Sequence, residues 1–202
     1  MTSSMTSSVS TLPGTSPVEQ HDRAAARERT RTPGRGALAG YVRALQADGD
    51  APTRLQHGVS LLPGLVPGCD HASITTVNAG QLQVRVASDA TGRRADELQD
   101  ELDDGPCLQA VRTGHSVMGH DLRTESRWLD WCSAAVVELE VTAALSVLLV
   151  STRRPLATLN LYSHAVEGLS SVDLGLLHTL AEPLVDALLD TRRAFHRLGP
   201  AA

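Results

Sequence analysis

The sequence predicts an α+β sandwich: an antiparallel sheet with helices segregated to one face and an irregular helical insert between its two pairs of strands. Three observations carry this. Alternating stretches come in two pairs, residues 71–87 and 142–162, each joined by turn chemistry. Stretches with apolar residues at helical spacing flank them, residues 38–66 before and 172–188 after. Between the two pairs lies a mixed region, residues 89–140, in which neither pattern is sustained. Hairpins with helices grouped outside them form a sheet covered by helices on one face.

Each element has its own warrant. Residues 1–35 are rich in Ser, Thr, Pro and Arg and hold few large apolar groups, so they are expected to be a disordered tail, with a transient helix over 21–31. Leu38, Tyr41, Val42 and Leu45 mark a first helix ending near Gly49. Asp50 before Ala51-Pro52 reads as a capped helix start. Leu55, Val59, Leu62 and Val66 give its apolar face, with a kink expected at Pro63 and closure at Gly68. Residues 71–77 and 81–87 alternate around Asn78-Ala-Gly80, with Leu82, Val84 and Val86 on one face and Gln81, Gln83 and Arg85 on the other. In the mixed region, Arg93–Leu102 reads as a polar helix and Pro106–Arg112 as a helix closed by Gly114. Ser116–Met118 reads as a short strand, Asp121–Trp131 as loop and Ser133–Leu139 as helix. Residues 142–150 and 156–162 flank a turn at Ser151–Pro155. Ser170-Ser-Val-Asp173 offers a capping box for a last helix carrying Val172, Leu176, Leu180, Leu184 and Leu188, bent at Pro183.

Composition narrows the function. The chain has 202 residues and a net charge of −5, enough for one domain with appendages. The domain is expected over residues 36–197, with a short disordered end at 198–202. Residues 1–35 hold five arginines against three acids, while the remainder holds 13 against 20. An acidic body repels phosphates, so direct nucleic-acid binding is not expected. Arg23, Arg27, Arg29, Arg31 and Arg35 read as a solvated tail. Three widely spaced cysteines, Cys69, Cys107 and Cys132, argue against a disulfide scaffold and fit a reducing cytoplasm. No secretory core or membrane span is legible.

Five phrases in order give a resemblance: Val66-Pro-Gly-Cys-Asp70, Asp104-Gly-Pro-Cys-Leu108, Asp121-Leu with Arg127-Trp128, Ala144-Leu-Ser-Val147 and Leu159-Asn-Leu-Tyr-Ser163. Over about residues 50–195 the chain resembles a GAF domain, closest to those of actinobacterial regulators in which GAF precedes an RNA-binding ANTAR module. The chain ends at Ala202 without room for that module, so an RNA-binding output is not carried over. The resemblance implies a ligand pocket between one sheet face and the insert, and helices on the opposite face through which GAF domains commonly dimerise.

The expectation is a non-catalytic sensory module that binds an unidentified small molecule, forms a homodimer through its terminal helices and signals to a partner protein. Candidate pocket residues are Cys107, Met118, His120, Trp128, Trp131, Leu145, Val147 and Asn160. Cys107 opens a helix, where the macrodipole lowers a thiol pKa, but a packing role fits the phrase better. Trp128 and Trp131 either wall a ligand cavity or plug the core. A dimerisation scaffold with a filled interior is the alternative. A free-methionine sulfoxide reductase using Cys107 and Cys132 is a lesser one, since that enzyme's acidic and glycine-rich surroundings are missing. His115, His120 and Asp121 read as exposed loop residues and not as a metal site. No cofactor is expected; haem, held by some GAF sensors, has only His115, His120 or His164 to recommend it. Glu97–Glu101 and Asp103-Asp104 read as a solvated helix face and turn, with no acid–base role.

Overall fold

The computed structural model describes residues 33–78, 81–151 and 154–198. The expected tail up to residue 32, its transient helix and residues 199–202 lie outside the described residues. So do the side chains of Leu82, Val84, Gln81 and Arg85, on which the face pattern of the second strand partly rested.

Two helices come first, α1 at Arg35–Gln46 and α2 at Ala51–Leu61. Arg35, assigned to the tail, is the first residue of α1. The α2 start is the expected cap: Asp50 Oδ1 accepts from the Thr53 N–H at 2.9 Å, with Pro52 in the first turn. Pro63 does not kink α2 but ends it. Without an N–H it cannot continue the α ladder, and residues Leu62–Gly64 tighten into a 3-10 turn.

Five strands follow: β1 (His71–Asn78), β2 (Gln81–Ala87), β3 (Val117–Gly119), β4 (Ala143–Ser151) and β5 (Arg154–Ser163). They form one antiparallel sheet in the order β2-β1-β5-β4-β3. The insert between β2 and β4 holds α3 (Ala90–Leu102), α4 (Pro106–Thr113) and α5 (Leu129–Leu139). Helix α3 starts three residues before the expected Arg93 because Asp89 caps it, accepting from the Gly92 N–H at 2.9 Å. Helix α5 starts at Leu129 and not at Ser133, with Trp128 at its N-cap.

Helix α6 spans Leu174–Leu198 and runs through Pro183. Its cap is Asp173, whose Oδ1 accepts from the Leu176 N–H at 2.8 Å. Ser170 does not serve, because turns at Glu167–Ser170 and Leu169–Val172 precede the helix and the Ser170 hydroxyl meets His120 Nδ1 at 2.7 Å. Among the described residues, no helix is long and apolar enough to cross a membrane.

Strand alternation splits the interior into two cores. Ile74, Leu145, Leu149, Leu159 and Leu161 face α1, α2 and α6, where they meet Leu55, Val59, Leu180 and Leu184. Each such fully buried side chain contributes about 1.5–3 kcal/mol. The buried Tyr41 hydroxyl donates to the Leu180 carbonyl at 2.8 Å and ties α1 to α6. On the other face the insert builds a second core from Leu98, Trp128, Trp131, Ala135 and Val141 against Ala144 and Tyr162.

Candidate functional site

The sheet face beneath the insert is polar. Register places Ser73, Asn160 and Ser146 in one row across β1, β5 and β4, and Thr75 beside Thr158 in the next. All five are fully buried. Tyr162 and Ala144 form the row on the other side. An ordinary sheet–helix interface is apolar, so this floor of hydroxyl and amide groups needs partners.

Helix α3 supplies them. Ala95 and Leu98 bury its apolar side, and Asp96 and Gln99, one position on in each case, are carried under the helix to the sheet. Asp96 Oδ2 accepts from the Thr75 hydroxyl at 2.5 Å. Its Oδ1 accepts from Asn160 Nδ2 at 3.0 Å and from the Tyr162 hydroxyl. Ser146 donates to Asn160 Oδ1 at 2.8 Å, which orients that amide toward Asp96. Burial drives the Asp96 carboxyl above its usual range, against the opposing pull of these hydrogen bonds. Burial likewise raises Tyr162, helped by the adjacent Asp96 charge. The Ser73 hydroxyl is fully buried beside both groups, close enough to lower the pKa of each.

Gln99 links this floor to α4. Its Nε2 donates to the Tyr162 hydroxyl at 3.0 Å and its Oε1 accepts from the Cys107 N–H at 2.7 Å, satisfying a free donor at the helix start. This explains Gly105-Pro-Cys107. Gly105 has φ 129°, and a Cβ there would lie 2.4 Å from Gln99 Oε1. Pro106 takes the first-turn position, where no N–H is needed. The Cys107 thiol lies 2.9 Å from the Thr158 hydroxyl. Burial, with the Asp96 charge second, pushes the thiol up to about 12, so the helix start does not activate it. Burial, followed by nearby acids, also pushes Cys132 up to about 12.

Trp131 closes the site from above. It is fully buried, donates from Nε1 to the Ala95 carbonyl at 3.0 Å and packs on Tyr162 with ring centres 6.3 Å apart. Trp128 meets Trp131 edge-to-face at 6.4 Å, donates to Gln109 Oε1 at 2.7 Å and carries the Arg127 guanidinium 4.2 Å over its ring.

Of the residues singled out from sequence, Cys107, Asn160, Trp128 and Trp131 gather under the insert. Leu145 and Val147 do not, because they share strand parity with Leu149 and pack toward the terminal helices. Met118 also packs on that side. His120 is exposed against Ser170. His115 is exposed too, with Nδ1 2.8 Å from the Thr113 carbonyl. Sequence reasoning missed Asp96, Gln99, Ser73, Thr75, Ser146 and Thr158. A signal existed: polar residues recur at every second position of otherwise apolar strands. Among the described residues no three His, Cys, Asp or Glu side chains converge as a metal group. Open grooves of about 480 Å³ between β4 and α6, and about 460 Å³ between α1 and α2, lie on the helical side.

Comparison with family models decides the relationship: the GAF domain model matches residues 49–188. The chain belongs to the GAF family. Solved structures agree on the fold. The free methionine-R-sulfoxide reductase of Neisseria meningitidis, in complex with its substrate, is 16% identical with a TM-score of 0.61, covering 86% of this chain and 93% of that one. The GAF domain of the Acinetobacter phosphoenolpyruvate-protein phosphotransferase is 12% identical with a TM-score of 0.61, covering 80% and 96%. That of the Coxiella burnetii phosphotransferase is 13% identical with a TM-score of 0.59, covering 85% and 98%. At such identities the likeness concerns the GAF fold alone. A comparison with curated proteins gives no match.

Proposed function

We propose that this GAF domain is a sensory module that takes a small polar molecule between the sheet and the insert and signals to a partner protein without catalysis. The observation that carries this is the polar floor: a fully buried Asp96 carboxyl set against the buried Ser73, Thr75, Ser146 and Thr158 hydroxyls and the Asn160 amide. Burying a carboxyl among so many polar side chains is unfavourable. Polar groups held at a stability cost are what a recognition site contains. Asp96, Ser73, Asn160 and Tyr162 are the recognising groups, and Trp131 is the roof. Entry requires α3 and α5 to lift from the sheet. That motion is the signal, read by a partner, with homodimerisation through α1, α2 and α6.

The thiols favour binding over chemistry. Cys107 and Cys132 are both buried, and protonated thiols are poor nucleophiles. The Neisseria reductase is a neighbour in fold, and its activity is not assigned to this chain.

The test is native mass spectrometry of the purified chain, followed by a thermal-shift panel of polar metabolites. The expected result is a bound mass or a ligand-dependent rise in melting temperature, absent in Asp96→Asn. An apo mass with no rise across the panel would refute the reading. An apo mass of two chains would then favour the dimerisation scaffold.

A further inference from the structure

A second cluster lies at the end of the sheet, outside the polar floor. His71 opens β1 and His164 follows β5, and the two imidazoles meet edge-to-face with Nε2 atoms 2.8 Å apart. The other ring nitrogen of each is engaged. His164 Nδ1 lies 2.9 Å from the Glu140 carbonyl, which only accepts, so this nitrogen carries the hydrogen. His71 Nδ1 lies 2.9 Å from Asp89 Oδ2. The Asp89 carboxyl also accepts from the Gly92 N–H at 2.9 Å and from the Ser88 hydroxyl at 2.7 Å. Asp89 is therefore an acceptor, and His71 Nδ1 carries the hydrogen as well.

A neutral imidazole has one N–H. With both hydrogens on Nδ1, both Nε2 atoms present lone pairs, and these face each other at hydrogen-bond distance. Two lone pairs this close repel, and a cation off the line that joins them, reached by both, reverses the sign. We propose that His71 Nε2 and His164 Nε2 form a two-histidine site for a divalent transition-metal ion, a reading independent of the ligand site above.

The surroundings fit. Metal-bound histidines usually donate their other N–H to a carboxylate or a backbone carbonyl, which fixes the tautomer and makes the ligand more basic. Asp89 and Glu140 supply one of each. Two nitrogens about 2.0–2.1 Å from one ion stand about 2.9 Å apart at a right angle and about 3.3 Å apart at a tetrahedral angle. The 2.8 Å gap suits adjacent positions on a tetragonal copper or nickel ion with least movement. His164 is exposed, which leaves the remaining positions to water or a further ligand. Around the pair stand Asp89 at the α3 cap, Asp70 before β1, the carbonyl of Glu140 at the end of α5, and the Cys69 thiol on the His71 carbonyl. A bound ion would fasten both ends of the insert to the sheet through these rings.

The full chain is titrated with copper(II) chloride and read by electron paramagnetic resonance. The expected signal is one tetragonal ion per chain with hyperfine splitting from two imidazole nitrogens. His71→Ala and His164→Ala each remove that signal, and Asp89→Asn, which keeps a good helix cap, weakens affinity about 10–100-fold. Nickel and zinc chloride should raise the melting temperature of the wild type by several degrees and leave the alanine variants unmoved. An unchanged copper signal in His71→Ala or His164→Ala overturns the proposal, as does a signal with fewer than two imidazoles. Nitrogen NMR showing a proton retained between the two Nε2 atoms in saturating metal overturns it in favour of a shared proton.

Discussion

Replacing Asp96 with Asn should stabilise the protein at alkaline pH and abolish its ligand response. The oxygen Oδ1 accepts from Asn160 and Tyr162, and an asparagine oxygen in its place keeps both bonds. The amide nitrogen then takes the place of Oδ2, opposite the Thr75 hydroxyl, which rotates to accept. The hydrogen bonds survive and the charge is gone. Removing a buried charge while its partners stay satisfied is worth about 1–3 kcal/mol, or about 2–4 °C of melting temperature for each kcal/mol in a domain of this size. The pH dependence gives the sign. In the unfolded chain the carboxyl ionises near 3.9. In the fold its pKa is raised by burial, so above that pH the native state holds a proton that the unfolded state has lost. Stability is therefore highest below the unfolded pKa and falls as pH rises through the folded one. Thermal melts of both proteins from pH 4 to pH 9 should show the wild type declining relative to the variant. A variant that melts lower than wild type at every pH, with a parallel profile, would refute the reasoning.

Other substitutions test the roof and the turn beneath it. Trp131→Ala empties the fully buried space above Tyr162 and should lower stability by about 3–5 kcal/mol, measured by urea unfolding. Gly105→Ala forces a Cβ into the Gln99 amide at a positive φ; a loss of about 2 kcal/mol or more is expected, and an unchanged denaturation midpoint would count against the role given to Gln99. The three buried cysteines should resist Ellman's reagent at pH 8 in the native protein and react together after denaturation. Rapid labelling of Cys107 in the folded state would contradict its packing role.

Local chemistry made most of the fold readable. The Asp50 cap, the Gly114 stop and the two hairpins announced themselves in single residues or strict alternation. The start of α5 did not, because Trp128 at its N-cap forms no side-chain cap and Leu129-Asp-Trp-Cys132 has no turn signature. The site was legible only in part. Asn160 lies on the polar floor, whereas Leu145 and Val147 turn to the other face, since register pairs Asn160 with Ser146. One apolar run holds both parities, and only the Ser within it shows which side turns to the insert. Asp96 and Gln99 were hidden by composition. On a helix also carrying Glu97, Asp100 and Glu101, two more polar residues look like solvent-facing ones until their spacing from Ala95 and Leu98 is measured.

The strand order has a kinetic consequence. Strand β1 pairs with β5, so residues 71–75 meet residues 158–162 only after the whole insert has been looped out. Closing such a loop is slow relative to forming the local hairpins. The row Ser73–Asn160–Ser146 straddles that closure, so Asp96 can meet Thr75 on β1 beforehand but gains its Asn160 and Tyr162 donors only when β5 pairs. A nascent chain stalled before β5 would carry the α3 carboxylate with only the β1 hydroxyls to meet it, and the recognition surface would be completed by the arrival of one strand.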